Sequence, residues 1–180
     1  MESKSNPNSQ LNASIMTNRI MESTQEAPRF KKVYQAFDAD GNLKWSEETH
    51  NLVTNEGKND ILDKYFKGSS YTASWFLGLK GAGTIAAGDT LASHSGWTEI
   101  TGYTGDRKAI TWGTVSGQAL EASSTVTFAI DETVTIAGGF ITTAETGTSG
   151  ILYSAENFAT SRSLVSGDTL NVTFVEVSMS

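Results

Sequence analysis

Residues 169–177 read TLNVTFVEV, in which Leu170, Val172 and Phe174 place an apolar side chain at every second position. Residues 125–130 read TVTFAI and alternate in the same way. Successive side chains of a β-strand point to opposite faces, so this period of two indicates strands with one buried and one solvated face. The two stretches therefore predict antiparallel β-structure, in which one face of a sheet can meet water.

Further strands are predicted wherever short β-prone runs are bounded by Gly, Ser or Asp. These runs lie at residues 74–80, 99–103, 109–112, 133–142 and 151–154. No helical crossovers separate them, which argues against a parallel sheet. The sequence predicts a mainly β fold, an antiparallel β-sandwich of the jelly-roll or immunoglobulin-like type.

A hairpin is predicted at 33–46, where two β-prone runs flank the segment Asp38–Asn42, which reads DADGN. An EF-hand loop would place Gly at its sixth position and Glu at its twelfth, whereas Gly41 is fourth and Thr49 is twelfth. Asp and Asn side chains accept hydrogen bonds from nearby backbone, and Gly tolerates a positive φ. We therefore interpret the segment as a turn and not as a calcium loop.

One short α-helix is predicted at about 55–67. Thr54 or Asn55 can cap its start, and Gly68 suits the position just after its end. Its apolar residues Ile61, Leu62, Tyr65 and Phe66 form one face, which we expect to cover one side or an open end of a sheet.

The tetrapeptide Gly-Asp-Thr-Leu occurs twice, at 88–91 and at 167–170. Gly-Asp favours a turn and Thr-Leu favours the start of a strand. Two copies do not make a repeat architecture, and local turn chemistry is the interpretation we favour over a duplicated motif.

The chain is predicted to divide into a flexible N-terminal arm at residues 1–28 and a single β-sandwich domain at 29–180. The arm is polar, with few large apolar groups to offset the entropy of ordering it. The spacing of these apolar residues approximates one face of a helix, so one interpretation is a short amphipathic helix that forms when the arm docks onto a partner. The alternative is a solvated tail. The arm residues predicted to bind a partner are Leu11, Ile15, Met16 and Ile20.

Composition excludes several classes of protein. The 180 residues carry 13 basic and 20 acidic side chains, a formal charge of -7, so no nucleic-acid or anionic-lipid footprint is expected. The chain has no Cys and two His, which leaves little for thiolate, disulfide or zinc chemistry. We expect no metal and no cofactor. No apolar run approaches the roughly 20 residues of a membrane helix, and we expect no export signal and no membrane partner.

No enzymatic signature is present among the motifs for nucleotide binding, zinc proteases or serine hydrolases. Ser93 and His94 are adjacent, and neighbours on a strand point to opposite faces, so a nucleophile and base pair is disfavoured. His50, just before the helix, is interpreted as a structural hydrogen-bonding residue. The sequence predicts no catalytic residue and a protein that is not an enzyme.

The four Trp raise the possibility of carbohydrate or protein recognition through an exposed indole. Trp75 lies in the apolar run Trp75-Phe76-Leu77 and is expected to be buried. Trp97 and Trp112 lie near turn residues, and we predict that they are exposed for partner binding or seal an end of the sandwich.

Four segments carry a resemblance to a known family. They are residues 50–68, 75–79, 87–99 and 166–173. Each of the last two contains one copy of the Gly-Asp-Thr-Leu tetrapeptide. Over residues 33–177 the chain resembles small tailed-bacteriophage proteins encoded among virion genes. The resemblance implies a structural component of the particle with no catalytic residues to carry over.

The function predicted first is a capsid decoration or cement protein that coats the head shell. The alternative is a head-fibre, tail or baseplate appendage, with host-glycan binding through the exposed aromatic residues as one version. The implied partners are the major capsid protein or other virion proteins, together with further copies of the chain in a homo-oligomer. The implied location is the virion, assembled in the host cytoplasm.

Overall fold

A computed structural model describes residues 28–71 and 73–179. Its strands form two antiparallel sheets that pack in a sandwich-like arrangement, which confirms the predicted mainly β fold. The strands are β1 (Arg29–Phe37), β2 (Leu43–His50), β3 (Leu52–Val53), β4 (Phe76–Lys80), β5 (Glu99–Ile100), β6 (Lys108–Ala109), β7 (Ala119–Leu120), β8 (Val126–Ala129), β9 (Val134–Thr142), β10 (Leu152–Leu164) and β11 (Thr169–Ser178).

The five-stranded sheet has the order β2-β1-β11-β7, and β8 also pairs with β11. The six-stranded sheet has the order β3-β10-β9-β4-β5, and β6 also pairs with β4. The alternating residues that decided the fold class, including Phe128, Leu170 and Val172, are fully buried between the two sheets. Their neighbours Thr127 and Asn171 face outward and hydrogen-bond each other across β8 and β11 (Thr127 Oγ1 to Asn171 Oδ1, 2.9 Å).

The predicted hairpin is confirmed by the pairing of β1 with β2. The Asp38 carboxylate accepts hydrogen bonds from the backbone N–H of Asp40 at 3.0 Å and of Asn42 at 2.8 Å. Gly41 has a φ of +84°, which favours glycine there. The segment is therefore a turn held by its own side chain, as predicted.

Strand β10 is much longer than the predicted run at 151–154. It continues through Glu156, Asn157 and Arg162, which are polar residues that argue against a buried strand. Partners from the opposite sheet pair with two of these groups: Glu47 binds Arg162 at 2.9 Å, and Lys32 binds Glu156 at 2.5 Å. The strands predicted at 99–103 and 109–112 are shorter than expected, and Tyr103 and Trp112 form isolated bridges instead.

The predicted helix is present as α1 (Asn55–Ile61), followed by a π-helical turn at Leu62–Phe66. Thr54 caps α1 by accepting a hydrogen bond from the Gly57 N–H at 3.1 Å. Gly68 directly follows Lys67, which caps the end of the π-helical turn. Its φ of +73° agrees with its predicted place after the helix.

The expected packing of the helix is wrong. Leu62, Tyr65 and Phe66 are exposed to 56, 81 and 75%, whereas Gly57 is buried against the backbone of Tyr153. Gly57 has no side chain, so this turn approaches β10 directly. The predicted apolar face points largely to solvent, and Ile61 is its one member that packs against the core.

Both Gly-Asp-Thr-Leu segments form the same turn. Asp89 and Asp168 each accept a hydrogen bond from the backbone N–H three residues earlier, at 3.0 Å from Ala86 and 2.9 Å from Val165. The shared turn agrees with the interpretation from local turn chemistry.

The predicted arm, apart from Pro28, lies outside the described residues, as do Leu11, Ile15, Met16 and Ile20. No helix within residues 28–71 and 73–179 is long and apolar enough to span a bilayer.

Candidate docking surfaces

An apolar groove of about 540 Å³ opens at the end of the sandwich where β1 begins and β11 ends. We name this surface the end groove. Its larger apolar lining residues are Pro28, Phe30, Trp75, Trp112, Val115, Leu120, Tyr153, Val177 and Met179. The volume falls within the range of about 300–1,000 Å³ that is typical of ligand pockets.

Packed aromatic rings hold the wall of the end groove. Phe30 contacts Tyr153 edge-on at a centroid distance of 5.9 Å, and Tyr153 in turn contacts Trp75 at 4.9 Å. Trp112 lies 6.1 Å from Phe30 and packs edge-on against Phe174. Such aromatic contacts fix ring orientations, so the groove is preformed.

Tyr153 is the one titratable side chain among the residues that line the end groove. Burial raises its pKa above the ordinary value of 10.0, so its hydroxyl stays protonated at neutral pH. A groove of this chemistry suits apolar side chains and offers no base for proton transfer near neutral pH.

The structure places Trp112 in the wall of the end groove, half-buried, which is compatible with its predicted role at a sandwich end. Trp75, expected to be buried, is half-buried in the same wall.

Of the two roles predicted for Trp97, exposure or the sealing of a sandwich end, exposure is wrong. Its exposure is 4%, and its Nε1 donates to Asp89 Oδ2 at 3.0 Å. The His94 ring stacks on it at 4.0 Å, and Phe140 packs beside it at 5.3 Å. The loop between β4 and β5 folds over the outer face of the six-stranded sheet, so turn residues in the sequence surround a buried indole.

A second apolar surface lies on the helical segment that follows α1. We name it the helix patch, formed by Leu62, Tyr65 and Phe66 of the π-helical turn together with Tyr71 of the loop that follows. Tyr65 and Phe66 contact each other edge-on at 5.1 Å, and Tyr71 is 58% exposed. Sequence reasoning found three of these side chains but assigned them to the core, and it missed Tyr71.

Polar side chains border the helix patch. Lys67 Nζ lies 3.1 Å from Asp63 Oδ1, and Lys64 Nζ lies 6.0 Å from the ring of Tyr71. Exposed Tyr and Phe side chains with a charged border are typical of protein-binding surfaces.

A charged cluster lies between the sheets, out of contact with solvent. Lys32 on β1 and Glu156 on β10 form an ion pair at 2.5 Å, and the Tyr34 hydroxyl donates to the same carboxylate oxygen. Burial lowers the pKa of Lys32 below 10.5, an effect that Glu156 partly offsets, and burial also raises the pKa of Tyr34. Because all three side chains are 0 or 1% exposed, the cluster can support the fold but cannot reach a substrate.

Within the described ranges, no group of three or more His, Cys, Asp or Glu side chains is arranged to hold a metal ion. His94, considered beside Ser93 as a base, instead has its Nδ1 3.1 Å from the backbone oxygen of Trp97.

Comparison with known proteins identifies one family. The sequence model of a family described as "Podophage GP4 fiber I protein gp80" matches residues 52–180. None of the curated proteins matches the chain. The matched residues include the helix patch and all strands from β3 to β11, and they exclude the β1–β2 hairpin.

The match confirms the resemblance to virion proteins of tailed bacteriophages and covers more than half of the chain. It favours the appendage alternative over capsid decoration, because the description names a fibre protein. The chain belongs to the family of podophage GP4 fiber I protein gp80, a family of tailed-phage virion structural proteins.

Proposed function

We propose that this protein is a non-enzymatic subunit of a phage fibre and that it binds a neighbouring fibre subunit through the helix patch. Membership in a family described as a fibre protein supports the appendage function over the decoration of the head shell. The single observation that carries the proposed binding surface is the exposure of Tyr65 and Phe66, at 81 and 75%, on a segment inside the matched residues.

The position of the helix patch along the chain favours it over the N-terminal arm. A surface that serves the common role of a family is expected within the residues that define the family, here 52–180. The helix patch lies at 62–71, whereas the arm lies wholly before residue 52. The patch is thus the stronger candidate for the contact that builds the fibre.

The chemistry of the helix patch favours a protein partner. Tyr and Phe are enriched in protein interfaces, where they bury a large area at a low cost in side-chain entropy. The aromatic pair sits beside Leu62 and is bordered by the Asp63–Lys67 ion pair, an arrangement of apolar centre and charged border. In a fibre built from repeated chains, the neighbour is a second copy, which agrees with the predicted homo-oligomer.

Glycan recognition forms no part of this proposal. Trp97 is buried, and Trp112 lies in a groove lined by apolar groups, whereas sugar hydroxyls require several polar partners. One version of the appendage function has both indoles bind host glycans. Trp97 cannot do so because it is buried, and the surroundings of Trp112 lack the polar groups that a glycan needs.

The test is the incorporation of a Tyr65→Ser/Phe66→Ser chain into assembled phage particles, measured by quantitative mass spectrometry of purified virions. We expect a decrease on the order of tenfold, which corresponds to about 1.4 kcal/mol of binding. The unfolding free energy should stay within about 0.5 kcal/mol of the parent value, because both side chains are exposed.

The matched controls are Leu43→Ser and Val165→Ser, which remove apolar side chains that are 53 and 45% exposed elsewhere on the sandwich. Their incorporation should equal that of the parent chain. Equal incorporation of the helix-patch variant would contradict the proposed surface.

A further inference from the structure

We propose that the end groove binds the apolar side chains of the chain's own N-terminal segment, residues 11–21. This inference goes beyond the fibre function and does not depend on it, because it concerns a contact within one chain.

The end groove presents apolar surface that the described residues leave uncovered. Val115 and Met179 on its rim are 67 and 58% exposed. Its two indoles, Trp75 and Trp112, face the groove half-buried. Apolar surface gathered in a preformed groove is stabilised when other apolar groups cover it.

The described part of the chain begins at the groove itself. Pro28, the first described residue, lines the groove. Asn51 fixes this entry point, because its Oδ1 accepts from the Phe30 N–H at 2.8 Å and its Nδ2 donates to the Pro28 carbonyl at 3.2 Å. The described chain therefore begins at the edge of the uncovered surface, and residues 1–27 are covalently tethered at this point.

The composition of those residues matches the groove. Apart from Met1, their large apolar residues fall within 11–21, as Leu11, Ile15, Met16, Ile20 and Met21. Residues 22–27 read ESTQEA and form a polar connection between this set and Pro28. Unbranched, polarizable Met side chains adapt well to irregular apolar surfaces.

The connection is long enough for the chain to return to the groove. Six residues lie between Met21 and Pro28, so the seven steps from one to the other allow a span of roughly 23–25 Å in an extended chain. A segment tethered this closely has an effective concentration on the order of millimolar at the groove. In dilute solution it therefore outcompetes the same segment of a second copy, and this decides the occupant in favour of the same chain.

The experiment places the photo-crosslinker p-benzoyl-phenylalanine at position 115 of the full-length chain. The control places it at position 43, where Leu43 is similarly exposed but lies at the opposite end of β1 and β2. After irradiation, gel electrophoresis separates monomers from crosslinked chains, and mass spectrometry maps the attached residues.

We expect crosslinks from position 115 to residues 11–21 within monomers, in a yield at least about fivefold above that from position 43, as expected for a tethered segment. Crosslinks that join two chains would overturn the proposal in favour of a second copy. A yield equal to that of the control, or attachment outside 11–21, would also overturn it.

A second measurement tests which side chains bind. Ile15→Ser/Ile20→Ser should reduce the crosslink yield from position 115 several-fold and shift tryptophan emission to longer wavelength, because Trp75 and Trp112 become wetter. The matched control, Asn12→Ser/Asn18→Ser, changes polar residues of the same segment and should leave both readings unchanged. Equal readings for the two double variants would contradict the proposal.

Discussion

The ammonium of Lys32 lies 2.5 Å from the carboxylate of Glu156, and the two residues come from opposite sheets of the sandwich with their side chains fully buried. Burying two charges costs several kcal/mol per ion unless each is paired. Among the described residues, no hydrogen-bond partner reaches Glu156 Oε2, which adds to this cost. The pair therefore makes the two sheets strongly dependent on each other.

Removing one member of this pair should destabilise the fold severely. Glu156→Gln leaves the Lys32 ammonium without its countercharge, and we expect a loss of about 3–5 kcal/mol in the free energy of unfolding, measured by urea denaturation. Lys32→Met/Glu156→Leu removes both charges and should recover most of that loss. A Glu156→Gln variant within about 0.5 kcal/mol of the parent would contradict this role of the pair.

Alkaline pH should unfold the chain through its buried tyrosines. Burial, with the nearby charge of Glu156, raises the pKa of Tyr34, and burial raises that of Tyr103 and Tyr153, each above the ordinary value of 10.0. Above pH 10 the folded state therefore binds more protons than the unfolded state, and stability falls as pH rises further. Lys32 has the opposite effect on stability, but only up to pH 10.5, the ordinary lysine pKa, because burial lowers its own pKa.

Tyrosine ionisation is followed by absorbance at 295 nm, and unfolding by circular dichroism, between about pH 9 and 12. This range extends about 1–2 pH units to either side of the ordinary tyrosine pKa. Three of the five tyrosines should ionise only together with the loss of the circular dichroism signal. Ionisation of all five near pH 10 in a chain that stays folded would contradict the burial effect.

Gly57→Ala should destabilise the protein even though Ala favours helices. A Cβ at this position would lie 2.4 Å from the carbonyl oxygen of Tyr153, so α1 must move away from β10. We expect a loss of about 1–3 kcal/mol in the free energy of unfolding, against the gain of up to about 1 kcal/mol that helix propensity alone predicts. Lys58→Ala, an exposed neighbour, is the matched control, and a stabilised Gly57→Ala variant would refute the contact.

Sequence reasoning succeeded where local chemistry decides the structure. The alternation of apolar and polar residues around Phe128 and Val172 predicted strands because each of these strands has one buried and one solvent-exposed face. The hydroxyl of Thr54 and the side chain of Asp38 act on backbone within four residues, so the helix cap and the hairpin turn could also be predicted.

It failed where the structure depends on distant partners. Glu156 lies inside β10 because Lys32 and Tyr34 meet it from another sheet, which no local pattern indicates. Trp97 is buried by the fold of a loop, and the apolar face at Tyr65 was assigned to the core because Gly57, with no side chain, makes the contact instead. The end groove could not be predicted because its lining residues are far apart in the sequence, from Pro28 through Trp75 to Met179.

The most direct test of the fibre function is the number of copies of this chain in purified intact particles, relative to the major capsid protein. A fibre subunit should be present in a few to tens of copies per particle, and gold-labelled antibodies against it should mark fibres. Copy numbers comparable to the major capsid protein, with label over the head shell, would contradict the account and identify a decoration protein.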